Sequence, residues 1–166
     1  MLTLILMRHA KSSWGAPHLA DHDRALNDRG RTSASAMGRW LRDHGHVPDE
    51  VLCSSSRRTR ETLDCLKMDA PVRFTRELYL ASPAKILDVL RRAGARSVLL
   101  LGHNPGIADF AADILTIHPE HSRFADFPTC ATLVARFDAE DWFNVDWRQG
   151  ETVDFAIPRE VIAEGG

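Results

Sequence analysis

The run Leu2-Thr3-Leu4-Ile5-Leu6-Met7-Arg8-His9 decides how this chain is read. Residues 2–6 form a short, continuous apolar run of strand length, the pattern of a strand covered on both faces of a parallel sheet. An arginine and a histidine follow it directly. Glu50 to Cys53 and Ser97 to Leu101 read the same way. Apolar residues recur at helical spacing between and after these runs, at Ala34, Met37 and Leu41, at Ile86, Leu87 and Leu90, and at Ile107, Phe110, Ala111 and Ile114. Strand and helix alternate, which predicts an α/β class domain. Further on, Leu133, Ala135 and Phe137, then Val153, Phe155 and Ile157, alternate with other residues and predict two more strands nearer the sheet edge. The expected architecture is a three-layer α/β/α sandwich with a mainly parallel central sheet. The stretch from Trp14 to Arg29 reads as a long loop beside the first strand exit.

A chain of 166 residues, 44% hydrophobic and 27% charged, is long enough to bury a core and too apolar to be disordered. No repeat or linker divides it, so a single domain over residues 1–166 is expected. Its 21 basic and 23 acidic residues are scattered, giving a net charge of −2 and no polycationic face for nucleic acid. The apolar start is too short, and wrongly flanked, for a signal peptide or membrane span, so a cytoplasmic protein with no membrane partner is expected. Cys53, Cys65 and Cys130 contain no Cys-x-x-Cys pair and read as small core residues.

Ligand sites of open α/β sheets lie beyond the carboxyl ends of the strands. Arg8 and His9 follow the first strand; Ser54, Ser55, Ser56, Arg57 and Arg58 follow the second; Gly102, His103, Asn104, Pro105 and Gly106 follow the third. Guanidinium forks suit a tetrahedral dianion. The serines, and Asn104 with Pro105, also suit helix starts whose free N–H groups favour phosphate. Each piece alone has a plain reading as a surface cation, a core histidine or a turn. Their coincidence at three successive exits points to a phosphoryl site.

These residues carry a resemblance. Leu6-Met7-Arg8-His9-Ala10-Lys11-Ser12 resembles the Arg-His-Gly signature of the histidine phosphatase, or phosphoglycerate mutase-like, superfamily. Ser54 through Thr62 resembles its Ser-Pro-x-x-Arg-x-x-x-Thr element, and Gly102-His103-Asn104-Pro105-Gly106 its second-histidine motif. The SixA-type phosphohistidine phosphatases are the most similar branch, through Arg8 to Trp14, Arg24 to Gly30 and Phe127-Pro128-Thr129. The resemblance implies a single histidine phosphatase domain in which His9 is the nucleophile, Arg8, Arg58 and His103 bind the phosphoryl group, and no cofactor or metal is needed. Ala10 departs from the usual glycine. Gly15 stands where many members carry an asparagine, which implies a pocket with one donor fewer.

The implied substrate is a phosphorylated protein carrying phosphohistidine, or a small phosphorylated molecule. A general small-molecule phosphomonoesterase and an inactive phosphate- or phosphoprotein-binding module are the alternatives. Two neighbouring arginines are expected to lower the His9 pKa. Glu77 aligns with the segment that supplies an acid in larger relatives; its other reading is a solvated glutamate paired with Arg76 or Arg73. Asp21 and Asp23 are lesser candidates for that acid. Ser12 and Trp14, just past His9, are candidate substrate contacts. Trp40 fits a helix face, while Trp142 and Trp147 fall in a polar connection. The pairs His44 with His46 and His118 with His121 read as loop histidines, not metal ligands. Cys130 and Arg136 fit Cys-x₅-Arg spacing, but the residues between them alternate like a strand.

Overall fold

The computed structural model describes residues 1–165. Strands β1 (Leu2–Arg8), β2 (Glu50–Ser54), β3 (Val72–Thr75), β4 (Ser97–Gly102), β5 (Thr132–Phe137) and β6 (Glu151–Ala156) form one sheet in the order β3-β2-β4-β1-β5-β6. The first four run parallel, β5 runs antiparallel beside β1, and β6 runs antiparallel to β5 at the edge. The helices are α1 (Asp28–Asp43), α2 (Arg57–Leu66), α3 (Pro83–Leu90), α4 (Gly106–Ile114) and α5 (Pro158–Gly165). No helix is long and apolar enough to cross a membrane, among the described residues.

The period of two along a strand sorts side chains to opposite faces. Leu2, Leu4 and Leu6 enter a core shared with α3 and α4, while Ile5 and Met7 enter the one shared with α1, α2 and α5. Three layers result, as the sequence pattern predicts. Trp142 and Trp147 are corrections: Trp142 is buried in the first core, its indole N–H donating to the Ala95 carbonyl, and Trp147, partly buried, packs against that core beside Phe110. The stretch from Trp14 to Arg29 is also more ordered than a plain loop. Asp21–Asp23 form a short 3-10 turn, and Asp28 and Arg29 already belong to α1.

Register places the site. Arg8 pairs with Gly102, and Cys53 pairs with Leu101, so β1, β2 and β4 end level with one another. Two glycines let helix starts close over these ends: a Cβ on Gly30 would lie 2.1 Å from the Lys11 carbonyl oxygen, and one on Gly106 would lie 1.9 Å from that of Ala81.

Candidate active site

The three strand exits converge on a pocket of about 650 Å³. Arg8, His9, Ser12, Trp14, Arg58 and His103 all line it. The His9 and His103 rings lie 5.3 Å apart, and the His9 backbone N–H donates to the Gly102 carbonyl. Glu77 is not brought in. It is exposed and bonds Arg92, which holds its carboxyl below the usual range and keeps it charged. The partner is neither Arg76 nor Arg73, because the chain turns Glu77 toward the end of α3.

His9 is fixed in one tautomer. Its Nδ1 lies 2.7 Å from the Ala10 carbonyl oxygen, which can only accept, so Nδ1 carries the proton and Nε2 keeps a lone pair. Burial lowers its pKa to about 3, against the Ala10 bond, with Arg58, Arg8 and Arg24 adding to the effect. The arginines thus act as expected, but desolvation is the larger cause. Burial likewise lowers His103 to about 3, with His9 and Arg58 contributing. Ser54 Oγ accepts from the Ser56 N–H and lies 2.8 Å from His103 Nε2, which leaves its hydroxyl free to donate there. When Ser54 donates to Nε2, the neutral His103 ring carries its proton on Nδ1.

Arg58 sits in the first turn of α2, whose start is capped by Ser56. Thr62, one turn on, accepts from the Ala10 N–H and donates to the Arg58 carbonyl, tying the loop after β1 to this helix. At β4, Asn104 is not the N-cap itself: Pro105 holds that position, and the Asn104 side chain accepts from the Ala108 N–H while donating to the Asp126 and Phe127 carbonyls. Three buried side-chain atoms have no partner within the described chain: Arg8 Nε, Arg58 Nε and His103 Nδ1. All three belong to residues that line the pocket.

Sequence reasoning gave too little weight to Asp21 and missed its neighbours. Arg58 donates from Nη2 to the Asp21 carboxylate at 2.9 Å and from Nη1 to its carbonyl at 2.7 Å. The Tyr79 hydroxyl and Arg24 bond the same carboxylate. Desolvation opposes ionisation of Asp21, but Tyr79, Arg58 and Arg24 outweigh it and hold the acid well below its ordinary pKa. Arg24 also donates to Ser12 and lies 3.6 Å over the Trp14 ring, so it brings a further guanidinium into the pocket; Gly15 does not line it. The signal for Asp21 and Arg24 was their three-residue spacing, which pairs side chains on one turn.

Other rival chemistry finds no support. Burial pushes the Cys130 thiol up to about 12, and Thr132 to Phe137 is a strand, not a phosphate cradle. His44 and His118 bond backbone carbonyls, while His46 and His121 bond Asp154 and Glu160. No group of three or more metal-ligating side chains occurs among the described residues.

The family model for the histidine phosphatase superfamily (branch 1) matches residues 4–79. An uncharacterised protein of Mycobacterium tuberculosis is 36% identical over 160 residues, covering 92% of this chain and 100% of the relative. The chain belongs to the histidine phosphatase superfamily. Within it, two SixA structures, both of candidate phosphohistidine phosphatases, are similar over nearly their full length. That from Nakamurella multipartitia has a TM-score of 0.82 at 29% identity, covering 95% of this chain and 96% of its own. That from Agrobacterium tumefaciens has a TM-score of 0.77 at 28% identity, covering 95% and 99%. This histidine phosphatase is of the SixA type and is a phosphoryl hydrolase.

Proposed function

We propose that the chain hydrolyses phosphohistidine on proteins, through a phosphohistidine intermediate on its own His9. The observation that carries this is the His9 tautomer: the bond from Nδ1 to Ala10 presents a neutral Nε2 in a pocket lined by three guanidiniums. Nε2 attacks phosphorus and forms a new N–P bond while the bond to the substrate imidazole breaks. The leaving imidazole keeps its electron pair and departs neutral when its other nitrogen carries a proton. Water then attacks phospho-His9, releasing inorganic phosphate and restoring the His9 lone pair, so that one step becomes two.

Arg8, Arg58 and His103 hold the transferring group in this reading. A buried donor left without an acceptor costs about 1–3 kcal/mol, and phosphoryl oxygens supply acceptors for Arg8 Nε, Arg58 Nε and His103 Nδ1. Phosphoryl transfer depends mainly on such positioning and charge. Since guanidiniums supply that charge, turnover proceeds without a divalent metal and survives chelation.

The site favours an N–P over an alkyl O–P bond because no protonated acid is at hand. Glu77 is held by Arg92 outside the pocket, and Asp21, inside it, is held ionised. An alkoxide needs a donated proton to leave, whereas an imidazole does not. Matched assays on a phosphohistidine protein and an alkyl phosphate test the reading. The expected kcat/KM is higher for phosphohistidine by about 10² or more, the usual worth of an absent general acid. A higher value for the alkyl ester would replace this reading with that of a general phosphomonoesterase.

A further inference from the structure

A second groove, of about 780 Å³, opens beside the active-site pocket, and Lys11 and Thr129 line both. Its rim carries Lys11, Arg29, Arg123 and Arg159 against one carboxylate, Asp28, on a chain whose net charge is −2. Asp28 is already paired with Arg31, and Arg123 with Asp126. Lys11, Arg29 and Arg159 form no salt bridge among the described residues. All three are exposed. Its lining also includes the apolar Pro128, Ile157, Pro158 and Ile162, with Thr32 and Ser33.

We propose that this groove is a docking site for an acidic segment of the phosphorylated partner protein, seated while the phosphoryl group enters the neighbouring pocket. The proposal rests on the phosphatase reading and adds what the enzyme recognises beyond phosphorus. Three cations without partners on one side of an otherwise acidic molecule reverse the local field, which steers and holds a negatively charged ligand. The starts of α1, at Asp28 and Arg29, and of α5, at Pro158 and Arg159, border the groove and add to its positive potential. The apolar part of the lining favours a peptide over a nucleic acid: isoleucine and proline pack side chains, whereas a phosphate backbone calls for a continuous basic track. Because the groove and pocket share Lys11 and Thr129, a segment lying in one is contiguous with a group held in the other.

The test uses the full chain and matched peptides that carry either phosphohistidine or phosphotyrosine, flanked by acidic or by neutral residues. Para-nitrophenyl phosphate, too small to reach the groove, reports the chemistry alone. Wild type is expected to prefer acidic flanks by about tenfold in kcat/KM at low salt, with the preference fading as salt rises. Arg29→Glu/Arg159→Glu is expected to abolish the preference for both phosphorylated residues while leaving para-nitrophenyl phosphate turnover within about twofold. Equal turnover of acidic and neutral peptides by wild type would overturn the proposal. So would turnover of para-nitrophenyl phosphate with neither peptide, or stronger inhibition by an oligonucleotide than by an unphosphorylated acidic peptide. A flank preference seen with phosphotyrosine peptides, alongside poor phosphohistidine turnover, would retain the groove and remove the phosphohistidine reading. The two failures are therefore distinguishable.

Discussion

At the scale of single residues, the site turns on how one carbonyl and one carboxylate are placed. The Ala10 carbonyl accepts from His9 Nδ1 and so decides which ring nitrogen keeps its lone pair. A backbone oxygen does this whatever the side chain, and Ala10 is accommodated here, fully buried, where the superfamily signature has glycine. The Asp21 carboxylate, by contrast, lies on the Arg58 guanidinium and cancels part of its charge, so in the proposed reaction it would compete with the phosphoryl group. Asp21→Asn should therefore bind inorganic phosphate more tightly, by up to about fivefold, the range left once solvent screening of the partly exposed Asp21 carboxylate is allowed for. Phosphate inhibition constants for wild type and variant check this. Unchanged or weaker inhibition would mean that Asp21 serves mainly to hold Arg58 in place.

At the scale of elements, β1, β2 and β4 were legible because each is an apolar run ending in a cation or a histidine. So was the meeting of Arg8, Arg58 and His103 at one site, though the level register that produces it was not. β3 was not legible: Val72, Arg73 and Phe74 are all exposed on an edge strand, so no burial pattern marks it. α5 was missed for a related reason, since among its described side chains most face solvent and only Val161 is buried in the core. Glu77 misled because its alignment with the acid-supplying segment of larger relatives does not say where it points: it lies outside the pocket, paired neither with Arg76 nor with Arg73 but with Arg92, beyond α3. Tertiary placement decided it. What sequence cannot show is the cross-link between elements, and Thr62 is the clearest case. Thr62→Val keeps the shape but leaves the Ala10 N–H without an acceptor, an expected cost of about 1–3 kcal/mol. In a chain of this size that is a fall in Tm of roughly 2–12 °C. With the His9 loop loosened, kcat should fall more than KM rises; thermal melts and steady-state kinetics on the same preparation check both.

At the scale of the whole molecule, two buried neutral imidazoles make folding depend on pH. Both fall from an ordinary value of 6.5 to about 3 in the folded chain. Above pH 6.5 the rings are neutral whether folded or not. Below it the unfolded chain binds protons that the folded chain refuses, so stability falls with pH until about pH 3. Each ring contributes at most about 1.4 kcal/mol per pH unit across that window. Denaturation curves at pH 7, 6 and 5 should be steeper in pH for wild type than for His9→Asn/His103→Asn; equal slopes would show that the rings titrate normally. Neutral rings are also what the proposed chemistry needs, since a fold that makes His9 costly to protonate leaves it a lone pair. The central claim is the covalent intermediate. Its most direct test is rapid acid-free quenching during turnover of a ³²P-labelled aryl phosphate, followed by peptide mapping of the labelled enzyme. The account predicts label on His9, stable in alkali and labile in acid, formed and lost as fast as turnover, and absent from a folded His9→Ala protein that has lost at least about 10⁴ in rate. Label on another residue, or turnover retained by folded His9→Ala, would contradict it.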